Sequence, residues 1–255
     1  MEALRIAVVS APRSGNMWLR RLLVVLFRLE ERSAHTPDEV EWEALPERCV
    51  LQLHWPRTRA FAKQLDRTGF RVVVLARHPL DILLSILQFA PHEPETARWL
   101  DGVHGDERAI LGLDPLSDAF RVYAAGPRAR ALLDVTPDWW RRSAAALRYE
   151  DLVGDAPAEL ARIAAALEAE PAATPEEAAA AVTFGGLAAE ARNAHFWQGR
   201  PGHWRELLPA DVAVELAAPY RKLVKRFGYA VDPDPALTHE EARLRWLAKI
   251  AETRV

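Results

Sequence analysis

The chain has 255 residues, half of them hydrophobic, which is enough for one domain with a full core. Its 33 Lys and Arg against 36 Asp and Glu leave a net charge of −3, which excludes the broad basic face that nucleic acid or an anionic membrane would need. The single cysteine, Cys49, excludes a disulfide framework and a cysteine-rich metal site, and no apolar run approaches the roughly 18–20 residues that cross a bilayer.

Residues 4–9 form a short, β-branched apolar run that ends at Ser10-Ala11-Pro12, the pattern of a buried strand. The period then changes. Over residues 16–30, Trp18, Leu19, Leu22, Leu23, Leu26 and Leu29 recur at helical steps, with Arg20, Arg21 and Arg28 between them. A second strand covers 49–54 and stops before Pro56, and residues 59–68 read as a crossover helix. Residues 71–76 give a third strand, apolar almost throughout, as in a sheet covered on both faces. Pro79 suits the first turn of the helix that follows. A fourth strand is expected near 144–149, then a helix over 157–167. Strands alternating with helices predict a mostly parallel sheet wound on both sides.

Residues 91–140 break this rhythm with Pro, Gly, Trp and charge, and read as a long insertion between sheet elements. The stretch 169–182 reads as a linker and short helix, 209–227 as one amphipathic helix, and 232–255 as a helical C-terminal appendage. The expectation is a single domain over 1–255, without repeats. The N-terminus carries no h-region or small-residue cleavage site, so the chain is expected to be cytoplasmic and not inserted in a membrane.

Chemistry enters at the first strand–helix junction, Ser10-Ala11-Pro12-Arg13-Ser14-Gly15-Asn16-Met17-Trp18. A loop at a helix N-terminus points free N–H groups outward, where the helix dipole favours an anion. Ser14 and Gly15 permit a tight curl, Asn16 is a natural cap, and Arg13 adds a forked cation. An ordinary strand–helix turn with a surface arginine is the plain alternative. The Walker A pattern G-x-x-x-x-G-K-[ST] occurs nowhere.

The segment Ser10–Trp18 resembles the 5′-phosphosulfate loop of the sulfotransferases that use 3′-phosphoadenosine 5′-phosphosulfate (PAPS), with arginine in place of a common lysine and Met17 in place of a hydroxylated residue. Arg77-His78-Pro79-Leu80-Asp81, with Ser85 eight residues after Arg77, is similar to that family's 3′-phosphate motif. Leu147-Arg148-Tyr149-Glu150-Asp151-Leu152 resembles its Tyr-Glu-Asp-Leu segment, and Thr183-Phe184 a short stretch that lies against adenine. Gly199, Gly202 and Trp204-Arg205 fit the C-terminal glycine-rich stretch, although Trp197-Gln198 stands where two basic residues are usual. The resemblance covers residues 4 to about 229.

What it implies is a P-loop-like three-layer α/β/α fold and sulfuryl transfer without metal. Arg13, Ser14, Gly15, Asn16, Met17, Trp18, Arg77, Ser85, Tyr149, Phe184, Gly199 and Arg200 would then hold the donor PAPS and its product PAP, with Trp18 on the adenine and Arg200 in place of the missing cations. His54 closes the second strand in Gln52-Leu53-His54-Trp55-Pro56, at the sheet edge where α/β folds bind ligands, and matches the family's catalytic histidine. Its ordinary pKa suits a general base, with Arg13 stabilising charge on the leaving group. Gln52 replaces an assisting lysine. Residues 88–140 would form the acceptor pocket, with Phe89, Trp99, Phe120, Tyr123, Trp139 and Trp140 as apolar walls or as ordinary helix packing. Such walls suit a small-molecule acceptor better than a charged polysaccharide. A small-molecule kinase with a similar phosphate cradle, and a non-catalytic PAP-binding module, stay open beside this reading. So does a homo-oligomer, since the tail around Leu244, Trp246, Leu247 and Ile250 can dock on its own domain or on another copy.

Overall fold

The computed structural model describes residues 2–183, 185–187 and 199–252, apart from the side chains of 94 and 95. It is an α/β structure around five parallel strands: β1 (Leu4–Val9), β2 (Glu30–Ser33), β3 (Arg48–Leu53), β4 (Phe70–Ala76) and β5 (Ala145–Arg148), in the order β2-β3-β1-β4-β5. β1 and β4 lie inside the sheet and are buried at nearly every position, which is why their apolar runs are continuous rather than alternating.

β2 has no counterpart in the sequence reading. Its Glu-Glu-Arg-Ser sequence carries no apolar residue and no period, as suits a strand at a sheet edge, where charge blocks further pairing. It is fixed by its register on β3, Glu30 beside Cys49 through Ser33 beside Gln52, and by Glu31, which takes Arg20 at 2.6 Å and Arg21 at 3.0 Å from the first helix. That helix, α1 (Asn16–Phe27), ends three residues before the expected 30, because Arg28 turns left-handed (φ 51°) and its N–H closes on the Val24 carbonyl.

Contacts divide the chain into two compact units, each discontinuous in sequence: residues 1–76 with 134–189, and 77–133 with 190–255. The first holds the sheet, α1, α2 (Arg59–Arg67), α6 (Tyr149–Gly154), α7 (Ala156–Ala166) and α8 (Pro175–Ala181). Ile6, Leu19, Leu22, Leu23, Leu26, Phe27, Leu51, Leu53 and Leu65 are its largest fully enclosed side chains among the described residues. Helices α2 and α8 start where Thr58 and Thr174 accept amide hydrogens, and Thr174 forms a reciprocal capping box with Glu177.

The second unit begins with α3 (Pro79–Phe89), all eleven of whose residues are buried, as its near-uniform hydrophobicity requires. The expected insertion is ordered here by 3₁₀ turns at Ala90–His92 and Glu107–Ile110 and within Pro94–Gly102, which is kinked by non-helical backbone at Trp99, Leu100 and Asp101, followed by α4 (Asp118–Ala125); α5 (Pro127–Trp140) runs on into the first unit's residues. Glu107 and Arg128, 0% and 4% exposed, are bonded through one guanidinium edge, Nε and Nη2 to the two carboxylate oxygens, at 2.9 and 3.1 Å. Arg128 also reaches the carbonyls of Thr96, Trp99 and Val103, and Tyr123 donates to Glu107. The segment expected as one helix over 209–227 is two, Ala210–Ala217 and Arg221–Arg226, parted by a 3₁₀ turn at Ala218–Tyr220 where Pro219 cannot continue the hydrogen-bond ladder. The C-terminal helix His239–Glu252 buries Ala242 and Trp246 and leaves Leu244 and Leu247 more than half exposed. Among the described residues no helix is long and apolar enough to cross a membrane.

Candidate active site

β1 leaves the sheet toward β2, whereas β4 leaves toward β5, so the chain diverges between two neighbouring strands at their carboxyl ends. Open α/β sheets bind ligands at such a point. The loop 10–15 emerges there, and its first two residues are anchored. Ser10 Oγ accepts the Leu75 N–H at 2.7 Å, and the Ala11 N–H donates to Thr136 Oγ1 at 2.9 Å. Arg13 and Gly15 both take positive φ, 63° and 96°, which curls the loop over the first turn of α1. Side-chain residues adopt that conformation at a cost of about 1–2 kcal/mol, so the strain at Arg13 has to be held by the surrounding bonds.

Asn16 does not cap α1. Gly15 is the cap residue and Asn16 the first helical one, with its Nδ2 donating back to the Ala11 carbonyl at 2.9 Å. The first amides of the helix are therefore left without a side-chain acceptor of that kind. Ser14 Oγ and Asn16 Oδ1 are buried and have no hydrogen-bond partner among the described residues. An enclosed hydroxyl beside free helix amides, in a loop too tight to admit a Cβ at Gly15, is a cradle with the polarity and size for a phosphate-like anion.

His54 stands at the same edge, one residue past β3. Its Nδ1 lies 2.8 Å from the Ser10 carbonyl. Since a carbonyl only accepts, Nδ1 carries the hydrogen and Nε2 the lone pair. Gln52 Nε2 approaches that Nε2 at 3.4 Å, a long contact from the residue two back on the strand. Burial pushes the imidazole down to about 4; the Ser10 bond opposes this, while His35, Arg20 and Arg13 add to it. The ring is therefore neutral at pH 7 and able to accept a proton.

Tyr149, 2% exposed, begins α6 directly after β5. A Cβ built on Gly15 would lie 2.5 Å from its Cδ2, so the ring is packed hard against the loop. Trp18 meets Tyr149 edge-on at 6.0 Å and donates its Nε1 hydrogen to the Val182 carbonyl at 2.9 Å. Arg13, Ser14, Gly15, Asn16, Trp18, His54 and Tyr149 are thus gathered at one end of the first unit, with Met17 half-buried among them in sequence.

Arg77, Ser85, Gly199 and Arg200 belong to the second unit. Arg77 is half-buried just before α3, and Ser85 is enclosed two turns along it. Arg200, exposed, forms an ion pair with Glu206 at 2.8 Å, so its charge is engaged by the protein's own carboxylate. Gly199 and Gly202 take positive φ, 67° and 82°. Phe184 and the Trp197-Gln198 pair lie outside the described residues. Phe89 stacks on Trp99 and Phe120 on Tyr123, all four buried, so these aromatics serve the packing of their own unit.

Two residues carry more than the sequence reading gave them. Asp81, 1% exposed, accepts the backbone N–H groups of Gly202 at 2.7 Å and Trp204 at 3.1 Å, holding the glycine-rich stretch onto α3. His78 caps α3 by accepting the Leu80 N–H, donates to the Ala230 carbonyl and stacks on Trp204 at 4.9 Å. Both lie inside a motif selected for its arginine, yet apart from the Leu80 amide their partners are more than a hundred residues away, so no local pattern could announce those contacts.

No protein-family model matches the chain, and no curated protein is significantly similar to it in sequence. Solved structures do match it. A mouse sulfotransferase, SULT7A1, complexed with PAP, superposes with a TM-score of 0.62 at 16% identity, over 90% of each chain. The chain has the sulfotransferase fold. Retinol dehydratase, in complexes with androsterone and PAP and with retinol and PAP, superposes with a TM-score of 0.55 at 16% identity, covering 94% of this chain and 83–84% of that one. At these identities the sulfotransferase fold is what the likeness conveys, and the residues have to speak for the chemistry.

Proposed function

We propose that the chain is a sulfotransferase that moves the sulfuryl group of PAPS to a hydroxyl or amine of a small molecule. The observation that carries this reading is the 2.8 Å bond between His54 Nδ1 and the Ser10 carbonyl, which ties a neutral imidazole to the Arg13 loop itself. Similar folds that hold PAP support the choice of donor. The loop amides, Ser14 Oγ and Arg13 receive the 5′-phosphosulfate end. Arg77 and Ser85 receive the 3′-phosphate, with Arg200 available once it exchanges Glu206 for the nucleotide.

The reaction is a single in-line displacement. The acceptor's oxygen or nitrogen forms a bond to sulfur while the bond from sulfur to the phosphate oxygen breaks. His54 Nε2 takes the acceptor's proton, and Nδ1–H stays on Ser10, so the positive charge formed on the ring is spread onto a carbonyl dipole. The low basicity of His54 in the free chain suits this order of events, because the anionic donor raises it only once bound. Arg13 and the α1 amides balance the charge on the departing phosphate, a contribution of about 2–4 kcal/mol.

The test is a comparison of wild type with His54→Ala. PAP, but not Mg-ATP, should raise the melting temperature of both proteins, and sulfation of an acceptor panel by PAPS should vanish in the variant. A mutant with normal turnover removes His54 from the chemistry; PAP binding without transfer to any acceptor by wild type supports the non-catalytic reading instead.

A further inference from the structure

Three residues beyond His54, on the same connection from β3, stands an arginine that the proposed chemistry does not use. Arg57 is half-buried, and its guanidinium lies over the Trp139 ring, 5.5 Å from the centroid. The platform is itself fixed: Trp139 is 2% exposed, donates its Nε1 hydrogen to the Trp55 carbonyl at 2.9 Å and meets Phe61 edge-on at 5.5 Å. Arg5, Arg128 and Arg148 direct their donors to carbonyls or carboxylates of the chain. Arg57 has no hydrogen bond or ion pair among the described residues, and its buried Nε–H lacks an acceptor.

A cation held over an aromatic face keeps its fork of donors aimed and poorly hydrated. That is the state in which it best rewards a planar anion with two oxygens. The helix that starts at Arg59 adds a dipole of the same sign at this spot.

We propose that Arg57 is the specificity-determining residue of the acceptor site, and that the acceptor is a small molecule carrying a carboxylate beside the hydroxyl or amine that is sulfated. This rests on the assignment of His54 as the base at the same strand end. The carboxylate docks on Arg57, and the aromatic platform behind it suits a ring between the acid and the reacting group. Net charge does not announce such a site. What marks Arg57 is that, among the described residues, it has no hydrogen bond or ion pair on the connection that carries His54.

Matched acceptors decide it. With PAPS as donor, 4-hydroxyphenylacetate should exceed 4-methylphenol in kcat/KM by at least tenfold. Arg57→Gln should erase that preference by raising KM for the acid alone, Arg57→Lys should restore part of it, and both variants should keep wild-type PAP affinity and melting temperature. An equal loss on both acceptors, or no loss, overturns the assignment. So does a fall in PAP affinity, which would place Arg57 on the donor. Should wild type sulfate neither compound, the transfer reading is decided separately by the acceptor panel. Calorimetry of 4-hydroxyphenylacetate against the PAP-saturated protein then still decides, because saturable binding lost in Arg57→Gln supports the site and absence of binding in wild type removes it.

Discussion

Gly15 shows how one position can be set twice over. Its φ of 96° disfavours any side chain, and the Tyr149 ring at 2.5–2.6 Å leaves no volume for one. Gly15→Ala is therefore expected to cost about 2–4 kcal/mol, adding left-handed strain to overpacking. Urea denaturation measures it. Adding Tyr149→Leu should recover the steric part and leave the backbone part, so a double mutant no better than the single one would show that Tyr149 is not the obstacle. His54 makes the complementary point, for its direction and tautomer come from Ser10, forty-four positions earlier, and not from its neighbours on β3.

Among the elements, the insertion depends most on a single interaction. Its turns contain little regular hydrogen bonding, and the Glu107–Arg128 pair with its three carbonyls and Tyr123 replaces what a sheet or long helix would supply. Burial and the adjoining Glu107 carboxylate raise the Tyr123 hydroxyl well above its ordinary pKa, so it remains a donor. Removing one partner strands the other charge in the interior, and Arg128→Leu is expected to cost about 3–5 kcal/mol. Hydrogen exchange should then show amides 94–110 opening together while the β1 and β4 amides stay protected. Uniform loss of protection would mean that the pair supports more than its own segment.

On the scale of the whole molecule, stability should depend on pH through histidines that folding keeps neutral. Burial pushes His203 down to about 4, and His54 to about the same, against an ordinary value near 6.5. Burial lowers His78 as well. Between those limits the unfolded chain binds protons that the folded one refuses, so stability rises with pH. The contribution is complete above about pH 6.5 and is lost as the pH falls toward 4, by at most about 3 kcal/mol for His203. Denaturation midpoints at pH 7, 6 and 5 should fall in that order, and His203→Phe should flatten the slope. A variant as pH-sensitive as wild type would clear His203 of the effect.

The sequence by itself determined the elements whose signal is local. Short apolar runs bounded by turn residues read as buried strands, as in β1 and β4, and a three-to-four period reads as a packed helix, as in α1; Pro79 marks a helix start through the same short-range backbone chemistry. The Arg13 loop and the strand-end His54 were legible for that reason too, since each sits where a period changes. The tertiary structure decided what depends on a partner far along the chain. β2 has no pattern of its own and exists through β3 and Arg20; Asn16 turns back to Ala11 because Gly15 takes the cap. Asp81, His78 and the Glu107–Arg128 pair owe their roles to groups that sequence leaves distant. A charge or a ring gains its meaning from what burial places against it, and that is a property of the packed chain.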